Sequence, residues 1–450
     1  MELTTCTAGL RRADRLGREI LSGRFFYLER AAGGNLFSGL FYRKDGLKMR
    51  NRWLIALAAV GIHISIGSVY AWSVLTRPIM EAMGFSLSAT TWIFSIAILF
   101  LGTSAGFLGR FVEKHGPRKS GLMSMLFFGT GMLGSALALY LHSLPLLYLF
   151  YGVIGGIGLG VGYITPVSTL VKYFPNHRGF ATGLAIMGFG FAALIAGPTM
   201  QRLTVEYGLV ETFLILGVVY MVIMGASALY LKPPVAEEGS REAVMLHQGA
   251  TAAEALKTWQ FGALWWVFFV NITCGIGLLA VASPMAQQVV GMDASGAAAM
   301  VGIIGLLNGG GRIIWSTISD YLGRGLTYML FFFIEVAAFW MLAGTRDEFM
   351  FQILVFLIIS CYGGGFSCMP AYLSDIFGTR ELSAIHGRVL TAWGLAGVVG
   401  PTIVSWFWEH THSYTDTLMF FAGCFVLNFF IAAVLKLKGT REYTTAVQAD

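Results

Sequence analysis

Twelve apolar segments of roughly 20 residues recur along this chain, and only 12% of its residues are charged. A helix of about that length spans the hydrocarbon core of a bilayer. Soluble domains carry about 25% charged residues, so a deficit of this size means that most of the surface faces lipid. We therefore predict an all-α membrane protein with twelve transmembrane helices. The apolar segments are 53–76, 91–111, 121–141, 146–171, 180–201, 210–231, 262–288, 298–318, 327–343, 350–373, 387–408 and 416–436.

A polar stretch with two consecutive prolines separates the sixth apolar segment from the seventh and predicts two six-helix halves. The halves share short patterns, because Glu113 is followed three residues later by Gly116 and Asp320 by Gly323. Parallel repeats of this kind are typical of one transporter architecture. The predicted units are a disordered basic leader at 1–48, an N-terminal half at 49–232, a linker at 233–258, a C-terminal half at 259–438 and a tail at 439–450.

The basic residues are distributed unevenly. Residues 1–52 hold 11 basic and 5 acidic side chains, which accounts for the whole formal charge of +6. The remaining body is neutral, which argues against a nucleic-acid partner. Lys and Arg are concentrated in the linker and in the short loops that follow the second, fourth, eighth and tenth segments. The positive-inside rule therefore places both termini in the cytoplasm of a multi-pass plasma-membrane protein, or inner-membrane protein if bacterial, with the lipid bilayer as its surroundings.

Sequence patterns for other chemistry are missing. The five cysteines have no metal-ligand spacing. The glycine run 155-GGIGLGVG follows no predicted strand, so it does not indicate a nucleotide site. Neither an H-E-x-x-H nor a G-x-S-x-G motif occurs. We therefore expect no metal, no cofactor and no enzymatic activity.

The segment from Gly109 to Lys119 reads GRFVEKHGPRK and resembles the loop 2–3 signature of the major facilitator superfamily, with Glu113 where an Asp is usual. A weaker form of this signature follows the eighth segment. Within the superfamily, 66-IGSVYAWSV, 178-RGFATGLAIMGFGFAALIAGP and 308-NGGGRIIWSTISDYLGR resemble the oxalate/formate antiporter family, which is related to monocarboxylate transporters. The resemblance implies a secondary transporter with a cavity between its two halves.

Arg312 is the most informative single residue, because it lies inside the eighth apolar segment. A charge at that depth costs roughly 2.5–3.5 kcal/mol on insertion scales and persists where it faces a protein interior or a water-filled cavity. Helical spacing places Asn308 and Ser316 on the same face. A guanidinium offers a planar fork of donors that matches a carboxylate. The alternative is a structural charge paired with a buried acid, for which Glu335 in the ninth segment is the mid-membrane candidate.

In the resembled families a helix 8 arginine binds the substrate carboxylate, and Arg312 matches that position. The oxalate-transporting member pairs this arginine with a helix 11 lysine. Here the eleventh segment, 387-GRVLTAWGLAGVVGPTIVSW, has no lysine, and Trp393 occupies the matching place. One fixed cation balances one carboxylate, whereas a dicarboxylate would keep an unpaired charge in a low-dielectric site. We therefore expect a monocarboxylate of the formate, pyruvate or lactate class.

Further candidates lie on other segments. Tyr70 is a potential hydrogen-bond donor to the substrate, and His63, seven residues earlier on the same face, is a group that titrates near neutral pH and would couple a proton to the anion. The alternative for His63 is a core histidine bonded to a backbone carbonyl. For Glu335 we favour a protonated or locally hydrogen-bonded carboxyl remote from the cavity. Aromatic candidates for the pocket wall, each also compatible with ordinary membrane packing, are Tyr163, Tyr362, Tyr372 and Trp393. The predicted substrate-binding set is Arg312, Asn308, Tyr70, Tyr163 and Trp393.

Charged residues after the second and eighth segments form a predicted latch. The positive-inside rule explains the basic members but not the acids Glu113 and Asp320. In the superfamily such residues pair between helices and between halves, which favours the outward-open state. The predicted latch residues are Gly109, Arg110, Glu113, Arg118, Lys119, Asp320 and Arg324.

Together these observations predict a carrier that moves a small organic anion by alternating access, either as an exchanger or coupled to protons. Two alternatives remain open. One is a major facilitator carrier of another substrate, such as a drug exporter, which would tolerate loss of Arg312. The other is a non-transporting anion sensor on the same fold, for which a long cytoplasmic domain would be expected, whereas the linker and tail are short.

Overall fold

The computed structural model of the chain describes residues 51–234 and 249–447. In these ranges the protein is helical, with an isolated bridge between Gly249 and Gly378 and no strand. The predicted leader at 1–48 and most of the predicted linker lie outside the described residues.

Eleven continuous helical stretches in the described ranges are long and apolar enough to cross a membrane. One of them, Leu87–Tyr140, has 54 residues, and at 1.5 Å per residue it would be about 80 Å long, roughly twice the thickness of a bilayer. Its backbone is non-helical at Gly116, where φ is 74° and ψ is 170°, a conformation that glycine adopts at little cost. The stretch therefore contains two spans, and the predicted fold of twelve helices is confirmed.

The helices are numbered here in chain order. Most of them extend a few residues beyond the predicted apolar segments, because polar residues at the membrane surface continue the helical backbone. They are α1 Arg52–Met83, α2 87–115, α3 117–140, α4 Leu144–Tyr173, α5 Arg178–Tyr207, α6 Leu209–Tyr230, α7 Trp259–Val290, α8 Ala294–Leu322, α9 Arg324–Gly344, α10 Glu348–Phe377, α11 Leu382–Thr411 and α12 Tyr414–Val447.

Polar N-caps fix where several helices begin. The side chains of Ser86, Thr258, Asp293 and Asp347 each accept a hydrogen bond, of 2.7–3.2 Å, from the backbone N–H three residues later. Such a cap stabilises a helix start by about 1 kcal/mol. The cap at Asp293 sets the start of α8, and the apolar span of that helix, Ala299–Leu322, then carries Arg312 near its middle.

Glycines allow helices of the two halves to approach closely. On α5, a Cβ atom added to Gly190 would lie 2.7 Å from the Cα of Gly309 on α8. On α2, a Cβ added to Gly102 would lie 2.9 Å from the Cα of Gly394 on α11. Contacts this short leave no room for a side chain, and small residues serve this purpose in membrane helices generally. The two close pairs, α5 with α8 and α2 with α11, join the N-terminal to the C-terminal six helices.

The described end of the predicted linker packs against the C-terminal six helices. The N–H of Ala250 donates to the carbonyl of Phe377 at 2.8 Å. The N–H of Ala252, at the start of the short helix Ala252–Ala255, donates to the carboxylate of Glu381 at 2.8 Å. The linker is therefore anchored at the turn between α10 and α11.

Candidate functional site

Arg312 lies at the junction between the two halves and is completely buried. Its Nε donates to Oδ1 of Asn308 at 3.3 Å, one helical turn earlier, and its Nη1 donates to the carbonyl of Ile186 on α5 at 3.1 Å. Its Nη2 is buried and has no hydrogen-bond partner among the described residues. A buried charged donor without a partner is costly, so this nitrogen marks a position where an anion would be stabilised.

Two phenylalanines, one from each half, flank the guanidinium. The Cζ of Arg312 lies 5.8 Å from the ring centroid of Phe189 on α5 and 5.3 Å from that of Phe366 on α10. Aromatic rings at such distances attract a cation. Neither residue was predicted from the sequence. The available signal was their position beside glycines, since Phe189 lies between Gly188 and Gly190, where α5 approaches α8 closely.

Trp393 of α11 completes this aromatic wall, with ring centroids 5.6 Å from Phe189 and 4.8 Å from Phe366. Tyr163 of α4 lies 5.2 Å from Trp393, and Tyr70 of α1 lies 5.0 Å from Phe189. The structure thus brings Tyr70, Tyr163 and Trp393 together around Arg312, from helices far apart in the sequence.

Several polar atoms of this cluster are unsatisfied. The hydroxyls of Tyr70, Tyr163 and Tyr362 and the indole nitrogen of Trp393 are buried without a hydrogen-bond partner in the described part of the chain. The Tyr70 hydroxyl nevertheless lies close to both the Arg312 guanidinium and the Tyr362 hydroxyl. Tyr70 belongs to a 3₁₀ turn, Ser68–Ala71, that interrupts α1, and such turns often mark hinges in membrane or soluble helices. Tyr372, by contrast, packs against Tyr328 with centroids 5.5 Å apart.

His63 is buried within the N-terminal six helices. Its Nδ1 lies 2.6 Å from the carbonyl oxygen of Ala185 on α5, and its Nε2 lies 3.2 Å from that of Tyr163 on α4. The ring therefore bridges two helices through backbone carbonyls, which is the geometry of a core histidine bonded to the backbone. A second buried histidine, His386 on α11, was not predicted, and its ring centroid lies 6.0 Å from that of Tyr163.

Glu335 is buried on α9. It interacts electrostatically with Cys274 of α7 and Cys361 of α10. Its Oε2 has no hydrogen-bond partner among the residues described. The hydrogen bonds found for Arg312 go to an amide and a carbonyl rather than to this carboxyl.

The end of the bundle where α2 and α8 terminate carries most of the ion pairs between buried or half-buried groups, and we call it the charged end. Asp320 accepts hydrogen bonds from the N–H groups of Gly179 (2.9 Å) and Phe180 (2.8 Å) at the start of α5. It also pairs with Arg324, whose Nε donates to Asp375 of α10 at 3.1 Å. The carboxylate of α8 thus caps a helix of the other half.

Glu113 makes a related contact at the charged end. It accepts a hydrogen bond from the N–H of Ser383 at the start of α11 (2.7 Å) and one from Nζ of Lys172 on α4 (2.9 Å). A Cβ added to Gly109, one turn earlier, would lie 2.5 Å from the Cα of Ala384. The repeated acids therefore contact helix N-termini across the junction, where a helix dipole favours negative charge.

The remaining predicted latch residues are arranged differently. Arg110 lies near Arg388 of α11, a like charge. Arg118 and Lys119 are exposed at the start of α3. The partners Lys172, Ser383 and Asp375 were not among the predicted latch residues, because pairing across helices depends on how the helices pack.

Membrane-length helices in two sets of six, with a buried cation and unsatisfied donors at their junction, define a polytopic secondary transporter. The family model for the Major Facilitator Superfamily matches residues 54–401. The chain belongs to this superfamily, as its sequence motifs predicted.

Similar proteins include organic anion carriers. The chain is 28% identical to the Oxalate:formate antiporter of Oxalobacter formigenes, over 78% of this chain and 83% of the antiporter. It is 23% identical to Apicoplast pyruvate carrier 1 of Toxoplasma gondii, over 76% of this chain and 81% of the carrier. The crystal structure of the human organic anion transporter MFSD10 aligns with a TM-score of 0.68 at 14% identity, over 85% of this chain and 100% of that one, and this likeness shows the fold. The predicted resemblance to the oxalate/formate antiporter family is confirmed.

Proposed function

We propose that this protein is a transporter of a small monocarboxylate of the formate, pyruvate or lactate class, and that Arg312 binds the carboxylate. The observation that carries the proposal is the Nη2 of Arg312, a buried cationic donor with no hydrogen-bond partner in the described part of the protein. Removing a charge from water is favourable only where a counter-charge or hydrogen bonds replace the water. A bound carboxylate supplies both.

The surrounding donors support a small ligand. A carboxylate has two oxygens and about four lone-pair positions. The hydroxyls of Tyr70 and Tyr362 and the indole N–H of Trp393 are unsatisfied donors beside the guanidinium. Tyr163 and Asn308 complete the set, Tyr163 as part of the aromatic wall and Asn308 by orienting the guanidinium through its Oδ1.

The charge balance favours one carboxylate over two. Among the described residues, Arg312 and Arg324 are the buried side chains with a permanent positive charge. Arg324 is already paired with Asp320 and Asp375 at the charged end. Of these two described arginines, Arg312 remains as the fixed charge that balances a substrate, and a dicarboxylate would bring a second charge without a fixed partner into the low-dielectric interior. The relative named for pyruvate agrees with this choice, whereas the Oxalate:formate antiporter is named for a dicarboxylate as well as for formate.

Alternating access then follows from the contacts between the halves. We take the halves as 49–232 and 259–438, which rock about the site while the linker holds them together. Asp320 and Glu113, with Gly109, Arg110, Arg118, Lys119 and Arg324 around them, form a latch at the charged end. When the latch is formed, as in this structure, the charged end is closed, and substrate would reach the buried Arg312 when the opposite side opens.

The charged end faces the cytoplasm in this proposal, because the basic loops cluster there. Both termini are then cytoplasmic, and the membrane is the plasma membrane, or the inner membrane in a bacterium. The function is transport without catalysis, and the partners are the organic anion, the bilayer and, if uptake is coupled, protons. Exchange and proton-coupled uptake are both compatible with the binding site at Arg312.

The test is counterflow of radiolabelled formate, pyruvate, lactate and oxalate into proteoliposomes. Wild-type protein should take up at least one monocarboxylate saturably. Arg312→Gln should abolish that uptake, and Arg312→Lys should retain a small fraction, because an ammonium keeps the charge but loses the planar fork.

Arg346→Gln is the matched control, since Arg346 is an exposed arginine in the loop between α9 and α10. It should behave like the wild type. Wild-type uptake of an acid that persists unchanged in Arg312→Gln would refute the proposed binding role. Failure of folded wild-type protein to take up any of the three monocarboxylates would refute the proposed substrate class.

A further inference from the structure

We propose that His386 on α11 binds a proton that is transported together with the substrate. The proposal rests on the proposed monocarboxylate transport and names the side chain through which uptake is coupled to protons. His386 is 1% exposed, and neither of its ring nitrogens has a hydrogen-bond partner in the described part of the chain. Buried polar groups are rarely left in this condition without a functional reason.

The position of His386 connects it to the substrate site. It lies seven residues before Trp393, about two helical turns, and therefore on the same face of α11. Its ring contacts Tyr163 of α4, whose ring in turn contacts Trp393 at 5.2 Å. His386 thus lies at the junction between the halves, one aromatic ring away from the wall that surrounds Arg312.

His63 is less suited to this role. Both of its nitrogens face backbone carbonyls of the N-terminal six helices, those of Ala185 and Tyr163. These contacts lie within one half and are preserved when the halves rock. His386 belongs to the C-terminal half and faces Tyr163 of the other half, so its surroundings change when the halves separate. Coupling requires a group whose affinity for the proton differs between the two states.

Among the described residues, the groups that face His386 leave a proton there without a counter-charge. His63 from α1 and Tyr163 from α4 are its titratable neighbours, and a protonated His63 would repel an imidazolium at His386. Among the nearest charged groups of α2, Glu113 is held by Lys172 and Ser383, and Arg110 faces Arg388.

The other helices that pack on α11 contribute neutral contacts. Trp265 of α7 donates to Thr391, Phe366 of α10 packs on Trp393, and Phe420 of α12 packs on Phe407. At the linker end, the carboxylate of Glu381 accepts from the N–H of Ala252. An imidazolium at His386 would therefore be an isolated buried charge in the empty carrier, which is strongly unfavourable.

A carboxylate bound at Arg312 changes this balance, because its negative charge enters the same low-dielectric cluster. The proton then adds to a ring nitrogen of neutral His386 on one side of the membrane and leaves it on the other, with no other bond made or broken. Binding of the anion and binding of the proton favour each other reciprocally. The carrier would move one proton with each carboxylate.

The test compares two modes of transport in proteoliposomes, with radiolabelled formate and pyruvate as probes. Counterflow at equal internal and external pH requires no net proton movement. Uptake driven by an alkaline interior does, and coupling of one proton per carboxylate gives about tenfold accumulation per pH unit. We expect His386→Gln to keep counterflow and to lose gradient-driven accumulation, while His63→Gln and the exposed-site control His142→Gln keep the response to the gradient.

Several outcomes would overturn the assignment. One is gradient-driven accumulation in His386→Gln equal to that of the wild type. Another is loss of the response to the pH gradient in His63→Gln alone. The third is wild-type protein that shows counterflow but no accumulation in response to the pH gradient. In each case counterflow persists, so the proposed monocarboxylate transport stands. That function fails instead when wild-type counterflow is absent with both probes.

A second measurement covers a His386→Gln protein that folds but does not transport. Detergent-solubilised wild type, mixed with pyruvate in weakly buffered solution containing a pH indicator, should take up about one proton per bound anion. Binding of pyruvate by His386→Gln without proton uptake supports the assignment. Undiminished proton uptake by the variant, or loss of pyruvate binding altogether, overturns it.

Discussion

Replacing Asp320 with asparagine should open the charged end of this transporter more than the corresponding change at Glu113. Asp320 accepts two backbone hydrogen bonds from α5, one on each carboxylate oxygen, and its ion pair with Arg324 is almost completely buried. Asparagine keeps one acceptor oxygen and turns an NH₂ group toward the second N–H. The change therefore removes one hydrogen bond, leaves a backbone donor unsatisfied and deletes the charge at the start of a helix.

The magnitude follows from these contacts. A hydrogen bond to a charged group contributes about 1.5–3 kcal/mol, and a charge at a helix N-terminus about 0.3–1 kcal/mol. We expect Asp320→Asn to destabilise the closed charged end by about 2–4 kcal/mol, which is roughly a 30- to 1000-fold shift of the open–closed equilibrium.

Glu113 accepts one backbone hydrogen bond, and its pair with Lys172 is partly exposed, with 20% and 17% of the two side chains accessible. Solvent screening reduces the contribution of such an ion pair to well below that of a buried one. Glu113→Gln should therefore cost about 1–2 kcal/mol, a shift of roughly 5- to 30-fold.

The assay is double electron–electron resonance between spin labels at Lys114 and Tyr321, two exposed positions on opposite halves at the charged end. The long-distance population should increase in both variants and increase more in Asp320→Asn. Equal populations in the two variants, or a larger change in Glu113→Gln, would refute the argument that the two latches differ in strength. His115→Gln, which alters an exposed residue at the same end that does not belong to the latch, serves as the control.

Three further predictions concern the core. Gly190→Leu should reduce the transport rate at least tenfold while the protein still inserts into the membrane, because a side chain at this position meets the backbone of Gly309. Counterflow, with a surface-expression control, measures the loss. Glu335→Gln should change uptake by less than about twofold and should leave thermal stability nearly unchanged, because an amide resembles the neutral, protonated carboxyl expected at this buried position; a transport-dead but stable variant contradicts this. Trp393→Phe should raise the KM for the transported monocarboxylate by about tenfold through loss of the indole donor, with kcat less affected, and an unchanged KM would exclude Trp393 from the binding site.

The membrane architecture and the central arginine could be predicted because each depends on a pattern within a short stretch of the sequence. Apolar length defines a span, and a charge within such a span, as at Arg312, is conspicuous against its neighbours. Trp393 was found through the family resemblance, and Tyr70 and Tyr163 were candidates as polar aromatic residues within predicted spans; the structure brings the three together.

Phe189 and Phe366 could not be predicted in the same way. The chain has 35 phenylalanines, and only the packing of α5 against α8, and of α10 beside them, selects these two. No local pattern distinguishes a phenylalanine that contacts a cation from one that faces lipid.

His386 was missed for a different reason. The predicted eleventh segment begins at residue 387, whereas α11 begins at Leu382. The error of five residues assigned a buried histidine to a loop. Helix boundaries are the least certain part of a hydropathy pattern, because polar residues continue a helix beyond its apolar stretch.

The anchored end of the linker gives the start of α11 an unusual mechanical position. Within a few residues it receives Glu113 from the N-terminal half and, through Glu381 and the neighbouring turn, the backbone of the linker. The same rigid helix then carries His386 and Trp393 to the site. A force, a modification or a binding event on the linker would therefore displace α11 and, with it, the residues at the substrate site. The surface that faces lipid would not have to rearrange first.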